Sequence, residues 1–140
     1  MTEAVKSLFE TGLERYQAGE GPDTLIPFFQ DICDRAPKNG AAWSCLAWLY
    51  MLDNQPNKAH KAAQKSVKLE PNDPQNRVNL AMTMLEIGQP GVRQHVDAAK
   101  SVIAVSSELA HQVKENIEEG LSRNPDWDSL KRVKSWLFGD

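Results

Sequence analysis

Residues 40–73 read GAAWSCLAWLYMLDNQPNKAHKAAQKSVKLEPND, and this stretch decides the fold. Trp43, Leu46, Ala47 and Tyr50 stand at i, i+3, i+4 and i+7, which is one face of a helix. Asp53 to Asn57 interrupt the pattern with turn formers, and Pro56 suits the first turn of a new helix, where its missing N–H is not needed. Ala59, Ala63, Ser66 and Val67 then line a second face, and Pro71 stops it. Small residues at Ala47 and Ala59 let the two helices approach closely. The stretch is a helical hairpin.

The spacing W-x2-L-A-x2-Y, then Ala59, then Pro71 resembles the tetratricopeptide repeat, a unit of 34 residues with the pattern W-x2-L-G-x2-Y…A-x3-F…P. Two positions depart from it. Ala47 stands where Gly is usual and Ala63 where an aromatic is usual, and both are small and apolar.

One hairpin of this kind leaves apolar surface open and needs neighbours. One period back, Trp43 falls on Phe9, Tyr50 on Tyr16, Pro56 on Pro22 and Pro71 on Pro37, while Asp73 falls on Asn39. Residues 6–39 are therefore read as a first repeat. Its first helix carries Val5, Leu8, Phe9, Gly12, Leu13 and Tyr16, and its second carries Leu25, Phe28, Phe29 and Ile32. The register of the first helix is open by one residue, since Gly12 suits the small position better than Leu13. Pro27 predicts that the second helix begins late or bends.

One period forward, Leu80 and Ala81 fall on Leu46 and Ala47, Met84 on Tyr50, and Pro90 on Pro56. This predicts a third repeat over 74–105, with Arg77 where the family has Trp. Past Pro90 the register slips, and Val92, Val96, Ala99 and Ile103 make the apolar face in place of the unsuitable Arg93. From Ser106 the pattern restarts, with Ser106 or Ser107 placed as the N-cap ahead of Glu108, and Leu109, Val113, Ile117 and Leu121 recur every four residues. Asp126 is then placed to cap a last helix bearing Trp127, Leu130, Val133 and Leu137. Residues 106–138 read as the capping helices that a solenoid end needs. The expectation is one all-α domain over 1–140, a right-handed solenoid of three hairpin repeats with a C-terminal helical cap.

Composition fits an ordinary globular chain: 41% apolar, 25% charged, net charge −3. That balance gives no long-range attraction to nucleic acid or an anionic membrane. No run approaches the roughly 18 apolar residues of a spanning helix. The start, Met1 to Lys6, lacks the basic-then-apolar signature of a secretory signal, and two cysteines are too few for a disulfide framework. The cytoplasm is the simplest expectation.

Chemistry-bearing constellations are weak. His60, His95 and His111 have no partner at metal-ligand spacing, so no metal is expected. Cys33 and Cys45 fall on neighbouring helices, where small buried thiols are common. Gly19 and Gly21 mark a turn, with no phosphate loop following. Glu10 and Glu14, or Glu118 and Glu119, fall on polar faces and solubilise. No catalytic residues and no cofactor are expected. Lys58, Lys61, Lys65 and Lys68 form a basic stripe with His60 nearby, read first as a solvated face and second as a surface for an acidic or phosphate-rich partner.

The resemblance implies more than these residues do alone. In the family, the first helices of successive repeats line a concave groove that holds a partner's peptide, at the second, fifth, ninth and twelfth repeat positions. Those places hold Ala41, Ser44, Trp48 and Met51 in the central repeat, and Gln75, Val78, Met82 and Leu85 in the third. In the first repeat they hold Ser7, Glu10, Glu14 and Gln17, so the groove is expected to be acidic at that end. Trp48, Met51, Val78, Met82 and Leu85 are apolar residues that packing within the repeats does not require, and they are the expected partner-binding set. The C-terminal cap folding over them is the competing reading. The family's carboxylate clamp would need basic residues and Asn where Glu10, Glu14, Cys45, Gln75 and Asn79 stand. Two carboxylates repel an acidic tail, so the clamp is excluded. What the resemblance implies is a non-catalytic interaction module, an adaptor or assembly chaperone holding an apolar segment of a protein or peptide partner. It is expected to be a monomer or weak homodimer, with no nucleic acid bound and no insertion into a membrane. The alternative is a self-associating structural subunit.

Overall fold

The computed structural model describes residues 2–139, and among them eight α-helices and no strand occur. They are α1 (Glu3–Gln17), α2 (Pro22–Arg35), α3 (Gly40–Leu52), α4 (Pro56–Leu69), α5 (Pro74–Ile87), α6 (Val92–Ile103), α7 (Ser107–Arg123) and α8 (Asp128–Phe138). By contacts the chain, read from its sequence as one domain, divides into two compact units, Met1–Leu69 and Glu70–Asp140. Each is described by itself.

In the first unit α1 pairs with α2, α2 with α3, and α3 with α4. The α3–α4 hairpin is closest, as its small residues dictate: Ala47, Ala59 and Ala63 are wholly buried. Asn39 caps α3 by accepting from the Ala42 N–H at 3.3 Å, and Pro56 opens α4. The turn formers thus act where the sequence places them. Pro27 does not delay α2, which begins at Pro22 and runs through Pro27 to Arg35.

The register of α1 resolves in favour of Gly12. Gly12 is buried, and a Cβ built there would lie 2.6 Å from Cζ of Phe29 and 3.0 Å from Cε1 of Phe28. The Phe29 ring sits edge-on to Phe9 at 6.0 Å and to Phe28 at 5.9 Å between centroids. Only a residue without a side chain lets α1 approach this aromatic cluster.

In the second unit α5 pairs with α6, and both also contact α7 and α8. Asp73 repeats the role of Asn39, accepting from the Gln75 N–H at 2.8 Å and the Asn76 N–H at 3.3 Å. Arg77 repeats the role of Trp43. The Trp43 indole N–H donates to the Pro37 carbonyl at 2.9 Å, and Arg77 Nε donates to the Pro71 carbonyl at 2.9 Å. The departure from the repeat pattern therefore keeps the donor and changes only its carrier. Gly88, at φ 74°, ends α5 in the left-handed region that favours glycine.

The predicted face of α6 holds, with Val96 and Ala99 buried and Val92 and Ile103 half-buried. Ser106 caps α7, accepting from the Leu109 N–H at 3.2 Å. Trp127, Leu130, Val133 and Leu137 are all buried. Asp126 does not cap α8. That helix starts after Trp127 with no side-chain cap, and Asp126 instead donates its N–H to Asn124 Oδ1 at 3.2 Å in the preceding turn. Among the described residues no helix is long and apolar enough to cross a membrane.

Candidate functional site

With Gly12 turned toward α2, the 3.6-residue helical repeat fixes the rest of α1. Phe9, Leu13 and Tyr16 come round on one side of Gly12, and Glu10 and Glu14 fall on the face opposite it. Ser7, Glu10, Glu14 and Gln17 are all exposed and are not the residues beside α3. The expectation of an acidic end to the groove is therefore corrected by one residue of register. Phe9 and Tyr16 are half-buried, and Leu13 is 37% exposed.

Across from them on α3, the Trp48 indole N–H donates to the Tyr16 hydroxyl at 2.8 Å. That bond ties α1 to α3 and orients both aromatic side chains. Trp48 and Met51 are 8% and 5% exposed, so both are buried, not open to water as the sequence suggested. The face that α1 and α3 share is apolar, with one shared hydroxyl and an exposed leucine. Sequence reasoning missed Phe9, Leu13 and Tyr16. The signal was present in Gly12, whose fit to the small position shifts the whole helix by one residue.

In the second unit, Val78 and Met82 are 1% and 0% exposed, and Leu85 is half-buried. The expectation that these three have no internal role is corrected for Val78 and Met82. They are core because α7 and α8 pack on α5. Asn116 of α7 donates to Gln75 Oε1 at 3.1 Å, and Gln75 in turn donates to Asn79 Oδ1 at 2.9 Å. The Glu86 carboxylate accepts from Ser129 at 3.0 Å and from Trp127 at the start of α8. Desolvation raises the Glu86 pKa above the usual carboxylate value, and these two bonds pull it back.

No basic group stands at the carboxylate-clamp positions in the corrected register either. The first two hold Phe9 and Leu13, and the next is Cys45, whose thiol burial pushes up to about 12. Cys33 is likewise pushed up to about 12 by burial, with smaller contributions from Cys45 and Asp34. Both cysteines are protonated near neutrality and are poor nucleophiles. His60 is buried, and desolvation lowers its pKa, so it adds no charge to the lysine stripe beside it. His95 lies 3.0 Å from the Arg77 guanidinium, and exposed His111 pairs with Glu115 on the next turn of α7.

Residues 40–73 match the tetratricopeptide repeat family. This hairpin is a tetratricopeptide repeat. No curated protein matches the chain by sequence. Among solved structures, the Yersinia enterocolitica type III secretion chaperone SycD, in complex with a peptide of the translocator YopD, is similar with a TM-score of 0.70. The two are 17% identical, over 96% of this chain and 97% of that one. PcrH, a protein of Pseudomonas aeruginosa, in complex with the chaperone-binding region of PopD, has a TM-score of 0.69 at 20% identity, over 88% of this chain and 96% of that one. The tetratricopeptide domain of Sgt2 from Aspergillus fumigatus has a TM-score of 0.58 at 18% identity, over 94% of this chain and 75% of that one. The repeat at 40–73 thus lies within a helical fold of the tetratricopeptide kind.

Proposed function

We propose that this protein is a non-catalytic adaptor or assembly chaperone that holds an apolar segment of a protein partner. It acts in the cytoplasm as a monomer or weak homodimer, and it needs no cofactor. The observation that carries the reading is the α1–α3 face of the first unit, where exposed Leu13 adjoins the bonded Tyr16–Trp48 pair. A mainly apolar face of this kind, with exposed Lys6 two turns before Leu13, suits apolar ligands, and tryptophan and tyrosine are the usual anchors of such contacts. The fold is shared with the secretion chaperone SycD and with PcrH, each solved with a bound partner segment, which supports the same use here. Trp48 and Met51 belong to this proposed site with Leu13 and Tyr16. Val78, Met82 and Leu85 lie in the second unit, where Val78 and Met82 are core, and are not part of this proposed site.

Affinity purification from the native cell, read by mass spectrometry, tests the reading with wild type and Leu13→Glu side by side. Leu13→Glu should lose a partner that the wild type enriches, with the melting temperature unchanged, since exposed substitutions stay within about 0.5 kcal/mol. A partner retained at full yield by Leu13→Glu would refute the assignment. Met82→Glu is the folding control: a carboxylate at a wholly buried position should unfold the second unit whether or not a partner exists.

A further inference from the structure

The lysine stripe of α4 is not simply a solvated face. Lys58, Lys61 and Lys65 form one wall of a cleft of about 600 Å³, opened between α2, α3 and α4 within the first unit. Its apolar lining includes Trp43, Leu46 and Tyr50. The Trp43 N–H is already used by the Pro37 carbonyl. Gln30 donates to the Tyr50 hydroxyl at 2.5 Å, which joins α2 to α3 across the cleft. The polar atoms of these two aromatics are thus satisfied, and the surface they leave is apolar. Lys58 Nζ stands 5.9 Å from the centroid of the Tyr50 ring.

The three lysines are exposed, and among the described residues none is in an ion pair. Among the described residues Asp34 is the sole carboxylate lining the cleft, so three positive charges stand there against one negative. In a chain of net charge −3, such a local excess runs against the overall field. We propose that this cleft is a second docking site, distinct from the α1–α3 face, for an acidic segment of a protein partner: one aromatic or aliphatic side chain flanked by carboxylates. The apolar lining receives the side chain, and the lysine wall receives the carboxylates. Lys58 to Lys65 spans about 10 Å of helix, room for two or three acidic residues of a bound segment.

A membrane surface fits less well, because a bilayer meets a flat or convex basic patch and cannot enter a cleft. Nucleic acid fits less well because no aromatic alternates with the lysines along α4, and the chain as a whole repels phosphate.

Fluorescence anisotropy with a labelled synthetic peptide, Asp-Glu-Phe-Glu-Asp, tests the proposal at low salt. The wild type should bind it, and the doubly reversed Lys61→Glu, Lys65→Glu protein should bind about tenfold more weakly or worse. The pair Lys68→Glu, Lys131→Glu makes the same change in net charge at exposed positions that do not line the cleft. It should stay within about twofold of the wild type. Replacing Phe by Ser in the peptide should also weaken binding, and Leu13→Glu should leave it intact. Circular dichroism on each variant confirms that the fold persists. No binding to the wild type overturns the proposal, as does equal weakening by both lysine pairs. A preference for phosphatidylserine vesicles or an oligothymidine strand over the peptide overturns it too, and so does loss of binding in Leu13→Glu.

Discussion

Gly12→Ala sets two effects of known size against each other. In an open helix the added methyl would stabilise by about 0.8–1 kcal/mol, because glycine loses more backbone entropy on folding. Here the new Cβ would lie 2.6 Å from Phe29 Cζ and 2.9 Å from Cε2. Comfortable carbon contacts begin near about 3.5 Å, so the ring must retreat by roughly 1 Å. Phe29 is 1% exposed and meets Phe9 and Phe28 edge-on, which leaves it little space to retreat into. Overpacking of this kind costs about 1–3 kcal/mol. The clash should win by about 1 kcal/mol, lowering the melting temperature by about 3–5 °C for a chain of this length. Helical circular dichroism on heating measures it. The sharper test repeats the substitution in a Phe29→Leu background, where the shorter side chain leaves room for the methyl. There Gly12→Ala should turn neutral or stabilising, a coupling of the size expected between touching residues. If Gly12→Ala raises the melting temperature in the wild-type background, Phe29 does not sit over Gly12, and the register assigned to α1 fails.

Three further outcomes are expected. Arg77→Trp should stay closer to wild type in thermal melts than Arg77→Leu, because an indole N–H at that place can replace the donor to Pro71, and a lost hydrogen bond costs about 1 kcal/mol. Glu20 is held at about 2, against its ordinary 4.5, first by Arg15 and then by Thr24, whose hydroxyl donates at 2.6 Å. A depressed carboxylate contributes stability above its unfolded value and loses it as pH falls through the folded one. Wild type should therefore exceed Glu20→Gln in melting temperature above pH 4.5 and converge on it as pH falls toward 2. Truncation before Ser106 should uncover Val78, Met82, Val96 and Ala99 and give a fragment that aggregates or binds a hydrophobic dye, since α7 and α8 pack on α5 and α6. A soluble, dye-negative fragment would show that these helices are not needed to cover that core.

The hairpin at 40–73 and most helix ends and turns were legible in the residues because their causes are local, though Pro27 does not delay α2 and Asp126 does not cap α8. Pro22, Pro56 and Pro74 open helices through a missing N–H, and Asn39, Asp73 and Ser106 cap them with side chains three or fewer residues away. The apolar spacing of α6 and α8 named their buried faces for the same reason. The register of α1 was not legible. Both Gly12 and Leu13 satisfy the period, and only the arrival of Phe28 and Phe29 from α2 makes one of them impossible. The burial of Val78 and Met82 was not legible either. An apolar stripe on α5 reads alike whether a partner or α7 and α8 cover it, and those helices begin 20 and 41 residues after α5 ends, at Ser107 and Asp128 against Ile87. In the lysine stripe, charge and spacing could be read along α4, while the apolar cleft beside it exists only once α2 and α3 supply its other walls. Sequence by itself determined which faces are apolar; tertiary packing decided which of them water still reaches, because covering a face takes a second element whose place no single helix encodes.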